Sequence, residues 1–267
     1  MNNQPIGIFD SGIGGLTVAN AILRHLPNER IVYFGDTAHL PYGDKSSEAI
    51  RGYCSRITEF LLDKECKLVV MACNSASSAA YLQLVRDFSG LVPIANVIDP
   101  VVEAIAARKD INKIGVIGTK ATIRNGVYNR KLKKLRPDLV VKNQATPLLA
   151  QMIEEGFFNN NISRAVISSY LEKSHFEGIQ GLILACTHYS LIKEDIEKLY
   201  KGNIEIFNTL DIVAENISNV LARREILSTE KTAENQFYVS DYTESFEETT
   251  KVFWGETIKL QLADIWK

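Results

Sequence analysis

The sequence predicts an α/β fold: two doubly wound parallel-sheet domains, related by approximate pseudo-twofold symmetry, with the active site between them, although length alone also allows one large α/β domain. Three observations predict it. Short apolar runs alternate with segments of helical periodicity along most of the 267 residues. Two of those runs end alike: Leu68 to Met71 leads into Ala72, Cys73, Asn74 and Ser75, and Leu182 to Leu184 leads into Ala185, Cys186, Thr187, His188 and Tyr189. The pattern also restarts, because Lys113 to Thr119 repeats the alternation and the small polar ending of Pro5 to Ser11. The intervals that follow are similar, 67 positions from Ile6 to Cys73 and 72 from Ile114 to Cys186, as expected of two related halves. A continuous apolar run bounded by polar residues fits a strand buried on both faces, as parallel sheets require. Each Cys then falls at a strand's carboxyl end, the edge at which open α/β sheets bind ligands.

Taken in order, Ile6 to Phe9 is a strand running into the turn Asp10, Ser11, Gly12, Ile13, Gly14, Gly15. Leu16, Ala19, Ile22, Leu23 and Leu26 then recur at helical spacing. Thr17 stands where a dinucleotide fingerprint has its third glycine, so a nicotinamide or flavin reading is weak. The plainer alternative is that the glycines only permit a tight turn. Asp10 and Ser11 lie where side chains and a helix amino terminus can meet a ligand carboxylate. Ile31 to Phe34 is the next strand, and Gly35 to Gly43, with Asp36, His39, Pro41 and Tyr42, is either a binding loop or a plain connector. Ser46 or Ser47 caps a helix through Ile50, Tyr53, Ile57 and Leu61, with Glu48 in its first turn. Strand 68–71 follows, then a helix from Ala76 to Phe88, a strand from Pro93 to Val97, and a helix opened by Asp99 and Pro100.

After the restart, Ala121 to Leu135 reads as one helix and carries, with its flank, Arg130, Lys131, Lys133, Lys134 and Arg136. A solvated helix face explains this basic run better than a polyanion site, since no aromatics are interleaved. Leu148, Leu149, Met152 and Ile153, with Glu154 and Glu155, form an amphipathic piece ending at Gly156. Asn161 to Ser174 is a helix, 182–184 a strand, Lys193 to Tyr200 a helix, Ile204 to Phe207 a strand, and Asp211 to about Ile226 a long helix. A polar loop spans Ser228 to Asn235, then the strand Phe237 to Val239 and a helix through Phe246 and Phe253 close the chain.

Composition excludes several classes. Hydrophobic residues at 46% and charged residues at 23% suit a globular core and argue against disorder. A net charge of −2 gives no reason to expect nucleic acid or an anionic membrane as partner. No apolar stretch approaches a membrane span, and Met1 to Pro5 offer no positive charge ahead of an apolar segment, so the expected location is the cytoplasm. The four cysteines, at 54, 66, 73 and 186, have neither the density nor the spacing of a disulfide framework or a zinc site. Cys54 and Cys66 read as buried, inert thiols.

The other two carry chemistry. Inverting a carbon acid next to a carboxylate requires removing the proton on one face and returning it on the other, which two acid/base groups accomplish directly. A thiol is a few per cent ionised at neutral pH, and a nearby imidazolium or helix amino terminus brings it into range. In such a pair one sulfur starts as thiolate and the other as thiol, and their titrations are coupled. Asp10 beside Cys73 and His188 beside Cys186 are natural proton partners. Either Cys alone reads as packing, and His188 alone reads equally as a structural histidine or a catalyst. Two Cys in matched contexts are hard to attribute to packing.

Asp10, Ser11 and Gly12 with Gly14 and Gly15, then Pro41, Tyr42, Gly43, then Ala72, Cys73, Asn74, and finally Cys186, Thr187, His188, Tyr189 resemble the motif set of glutamate racemase, within the aspartate/glutamate racemase superfamily. The resemblance implies a cofactor-independent enzyme, with no metal, that interconverts L- and D-glutamate for peptidoglycan while two α/β domains close over the amino acid. It implies that Cys73 takes the α-proton from D-glutamate and Cys186 from L-glutamate, assisted by Asp10 and His188 respectively. Glu154 is similar to a further family carboxylate near the second thiol. Asp10, Ser11, Tyr42, Gly43, Asn74, Ser75, Thr187 and His188 are the implied substrate-binding positions. Ser75 departs from the family's usual Thr, keeping the hydroxyl and losing a methyl. The resemblance further implies a discontinuous first domain, 1–97 plus 208–267, a second domain over 98–207, and a homodimer. Some members of the family it resembles are activated by a muropeptide precursor. An aspartate-specific relative would use the same two-thiol chemistry. A non-catalytic amino-acid-binding module would leave both thiols unexplained, and a thioester-forming hydrolase would leave one idle.

Overall fold

The computed structural model describes residues 3–172, 174–207 and 209–267. Met1 and Asn2, Lys173 inside the expected helix 161–174, and Asn208, where the expected return to the first domain begins, lie outside the described residues.

The first half alternates as its apolar pattern dictates. β1 (Ile6–Asp10), α1 (Leu16–His25), β2 (Ile31–Gly35), α2 (Ser47–Asp63), β3 (Leu68–Met71), α3 (Asn74–Phe88), β4 (Ile94–Asn96) and α4 (Asp99–Ala107) follow one another. The residues of β1, β2 and β3 are all buried, which is why these strands read as continuous apolar runs. Two 3-10 turns, Thr37–His39 and Tyr42–Asp44, break the loop after β2. Ser46 is the cap of α2, its hydroxyl accepting from the Ala49 N–H at 3.2 Å.

The second half repeats the scheme with β5 (Lys113–Gly118), α5 (Lys120–Asn125), α6 (Val127–Leu135), β6 (Val140–Ala145), α7 (Pro147–Glu154), α8 (Asn161–Leu171), β7 (Gly181–Ala185), α9 (Lys193–Leu199) and β8 (Glu205–Phe207). α10 (Thr209–Arg223), β9 (Gln236–Val239), α11 (Glu244–Trp254) and β10 (Gln261–Leu262) complete the chain. One sheet runs β10-β9-β2-β1-β3-β4 and the other β6-β5-β7-β8, every pairing parallel. The order β2-β1-β3-β4 is matched strand for strand by β6-β5-β7-β8, so the weak internal repeat is a repeat of topology. After leaving the first sheet at β4 the chain rejoins it at β9, which lies against β2. Among the described residues, no helix is long and apolar enough to cross a membrane.

The structure corrects the sequence reading at five places. α3 begins at Asn74 rather than Ala76, and Cys73 caps it. The single helix expected over 121–135 is two, because Gly126 adopts φ +60, a conformation that ends α5 and that glycine takes without steric cost. β6 has no counterpart in the apolar pattern of the sequence: Val140 to Ala145 is a partly exposed edge strand with Lys142, Asn143 and Gln144 in its middle. α8 stops at Leu171, and a 3-10 turn covers Ser174–Phe176. The chain closes not on α11 but on β10, which extends the first sheet.

Candidate active site

The carboxyl edges of the two sheets meet around a cavity of about 470 Å³. From the first sheet come Ser11, Cys73, Asn74 and Ser75, together with the loop segment 40–44; from the second come Thr119, Glu154, Cys186, Thr187 and His188. Residues expected to share a site are therefore brought together, with one exception of degree. Asp10 does not line the cavity but lies beneath it, fully buried.

Each thiol has its own companions. Cys73 sits at the amino terminus of α3, and its Sγ donates to Ser11 Oγ at 3.6 Å. Burial and the nearby Asp10 carboxylate push this thiol up to about 12, while the Ala76 N–H and Ser11 favour the thiolate and the second thiol, Cys186, opposes it. Cys186 Sγ lies 3.7 Å from His188 Nδ1, and His188 Nε2 meets Glu154 Oε1, at the end of α7, at 2.8 Å. Thr187 Oγ1 lies 3.3 Å from the same Nδ1. Burial alone would lower the His188 pKa; the interactions with Cys186 and Glu154 overcome it and hold the imidazole well above its ordinary range. Burial raises the Asp10 carboxyl, and the His188 charge and the N–H groups of Gly12 and Gly15 pull it back. Asp10 Oδ1 accepts from Gly12 N at 3.1 Å, whereas Oδ2 is buried with no hydrogen-bond partner among the described residues.

The glycine-rich turn exists for packing. A Cβ on Gly14 would stand 2.3 Å from His188 Cε1 and 2.6 Å from Nδ1, so the turn after β1 passes directly against the imidazole from the other sheet. Phe253 of α11 closes on the same ring edge-on, with centroids 5.1 Å apart. A nucleotide cradle would need that space open.

The remaining positions divide. The Asn74 Oδ1 accepts from Tyr128 Oη at 2.8 Å, and Ser75 Oγ pairs with Thr119 Oγ1 at 2.8 Å, so both bridge the two sheets' lobes. Tyr42 reaches the cavity wall, but its hydroxyl points away and donates to Asp36 Oδ2 at 2.6 Å. Cys54 and Cys66 are buried, and burial raises both thiols, Cys66 to about 12. Lining residues that the sequence does not single out for the site include Thr119, Gln151, Phe246 and Thr249. Thr119 had a signal, since it stands in the repeat where Ser11 stands in the first half. Phe246 and Thr249, which line it from α11 with Ser245, had none, because nothing in a late amphipathic helix marks which face reaches the site. Among the described residues, no group of three or more His, Cys, Asp or Glu side chains is placed to hold a metal ion.

The family model described as Asp/Glu/Hydantoin racemase matches residues 14–217. The chain belongs to that family. It is an amino-acid racemase, and its similarity to known members spans nearly its whole length. It is 38% identical to the glutamate racemase of Neisseria meningitidis over 257 residues, 96% of this chain and 94% of the relative. It is 40% identical to that of Chlorobaculum tepidum over 256 residues, covering 95% and 93%. The crystal structure of the Francisella tularensis glutamate racemase in complex with D-glutamate superposes with a TM-score of 0.93 at 35% identity, covering 100% of this chain and 99% of that one.

In this racemase the His188–Glu154 pair has a measurable signature. Followed by NMR, His188 releases its proton well above the ordinary histidine pKa of about 6.5, and Glu154→Gln lowers that value. The folded-state pKa is raised, so the pair's contribution to stability is complete below the ordinary value and lost as pH climbs through the folded one. A His188 that titrates within the ordinary range contradicts this account.

Proposed function

We propose that the chain interconverts L- and D-glutamate by a two-base proton transfer between Cys73 and Cys186. The observation that carries the reading is that each sheet delivers one thiol to the same cavity, and each thiol has separate acid–base companions. A sulfur on either side of an α-carbon can take its proton on one face while the other gives one back on the opposite face.

In the D-to-L direction the Cys73 thiolate removes the α-proton, the electron pair passes into the carboxylate as an enediolate, and the Cys186 thiol delivers its proton to the opposite face. Cys73 ends as thiol and Cys186 as thiolate, and the reverse reaction runs the same steps backward. Burial and Asp10 hold Cys73 protonated. A substrate ammonium beside it supplies the positive charge that favours its thiolate. Asp10 serves Cys73, and His188, held by Glu154, serves Cys186. The N–H groups at the start of α3, at Asn74 and Ser75, suit a substrate carboxylate, and Ser11, Tyr42, Gly43 and Thr187 complete its surroundings. Both bases belong to the chain, so the reading requires no cofactor.

The same reading assigns 1–97 plus 208–267 to one domain and 98–207 to the other, closing on the amino acid between them. It makes the protein a cytoplasmic supplier of D-glutamate for peptidoglycan, acting as a homodimer. Relatives named as glutamate racemases, one solved with D-glutamate, support glutamate over aspartate.

The test is circular dichroism of L-glutamate incubated with the purified protein in deuterium oxide, with no added cofactor. Optical activity decays while deuterium enters the α-position. A signal unchanged under reducing conditions overturns the assignment, and turnover of aspartate alone transfers it to that substrate.

A further inference from the structure

The wall of the cavity formed by residues 40–44 is held from outside by groups remote from the proton transfer. Asp36, fully buried, accepts from Tyr42 Oη at 2.6 Å and from Ser240 Oγ at 2.7 Å, and its carboxylate lies 3.0 Å from His39 Nδ1. The His39 ring stacks on Tyr53 of α2 with centroids 4.1 Å apart and an interplanar angle of 20°. Its edge contact is with Trp266, at 4.5 Å and 85°. Trp266 meets Tyr53 as well, at 5.5 Å.

The segment that brings Trp266 there is anchored independently. β10 pairs with β9, Ala263 N donates to Val239 O at 2.9 Å, and Arg56 Nε donates to Ile265 O at 2.9 Å. The indole Nε1 is buried and has no hydrogen-bond partner among the described residues. A buried N–H left unpaired is a cost, so the ring is held by its faces and edges, and those contacts are with His39 and Tyr53.

We propose that Trp266 is a positioning residue for substrate binding: through His39 and Asp36 it fixes the loop that carries Pro41, Tyr42 and Gly43 into the cavity wall. The proposal rests on the reading of this cavity as the glutamate site. It makes residues 261–267, far from either thiol in sequence, part of what sets affinity. Because the loop shapes the binding surface and donates no proton in the reaction, loosening it raises KM and spares kcat.

The experiment compares Trp266→Ala and Trp266→Phe with the wild type by hydrogen–deuterium exchange and by racemisation kinetics. Trp266→Ala, which removes the ring contacts with His39 and Tyr53, speeds amide exchange at residues 38–44 about tenfold without a matching rise in β1 and β3. It raises KM for glutamate about tenfold with kcat within about twofold, and Trp266→Phe restores both. Unchanged exchange in the loop, an equal rise throughout the first sheet, or a loosened loop with unaltered KM overturns the proposal. A wild-type protein without glutamate turnover sinks the functional assignment instead, and the exchange pattern still decides the clamp.

Discussion

Serine in place of Cys73 stops racemisation, with kcat/KM for inversion falling about 10³-fold in both directions while the fold is kept. The hydroxyl is nearly isosteric, and position 73 is almost fully buried with one long contact to Ser11, so packing changes little. What is lost is acidity: a serine hydroxyl does not furnish an anion at neutral pH in a site where burial already opposes charge. The variant also separates the two half-reactions. With Cys186 still in place, the α-proton of L-glutamate exchanges with deuterium oxide without inversion, and D-glutamate stays inert. Serine at Cys186 gives the mirror result. The measurement is α-deuterium incorporation into each enantiomer by proton NMR, alongside circular dichroism. A Cys73→Ser protein that inverts glutamate within tenfold of the wild type, about 1.4 kcal/mol of barrier, would show that Cys73 is not one of the bases.

Gly14→Ala is the second large effect. Its added methyl would lie 2.3 Å from His188 Cε1, so either the ring or the turn must shift. Phe253 closes one edge, and the bond from Nε2 to Glu154 at 2.8 Å fixes the other. Relieving the overlap breaks that bond or lifts the turn after β1, at about 1–3 kcal/mol of stability. Displacing His188 by even an ångström misplaces the group proposed to serve Cys186, so kcat falls about 10²-fold. Gly12→Ala is the control, since its nearest contact would be Leu40 Cδ2 at 3.6 Å, an ordinary distance. Thermal unfolding and initial rates on both proteins decide the matter. Equal behaviour of the two variants would remove the packing explanation of the glycine turn.

Much of this architecture is legible because parallel strands are buried on both faces. Leu68 to Met71 and Leu182 to Leu184 announce themselves as uninterrupted apolar runs, and the polar residues after them mark the ligand edge. β6 is illegible for the complementary reason: as an edge strand it is partly exposed, and Lys142, Asn143 and Gln144 read as loop. Periodicity carries Ala121 to Leu135 as one helix because it reports which side chains are apolar, not that Gly126 turns left-handed. The site follows the same division. The two thiols are visible as a matched pair, whereas Gly14 looks like any turn glycine until the other sheet's imidazole is seen against it. Trp266 carries no local sign of its partners, which are more than two hundred positions away.

The late return of the chain to its first sheet bears on how the protein is made. β2, Ile31 to Gly35, has β1 on one side, but its other edge is covered only by β9, Gln236 to Val239. On a ribosome the whole second sheet emerges while that apolar edge waits, with its backbone N–H and C=O groups unpaired. Ser240, which steadies Asp36 beneath the cavity wall, arrives with the same late segment. A nascent chain halted before residue 236 thus owns both thiols and most of its core, yet presents an open strand edge to its neighbours on the polysome.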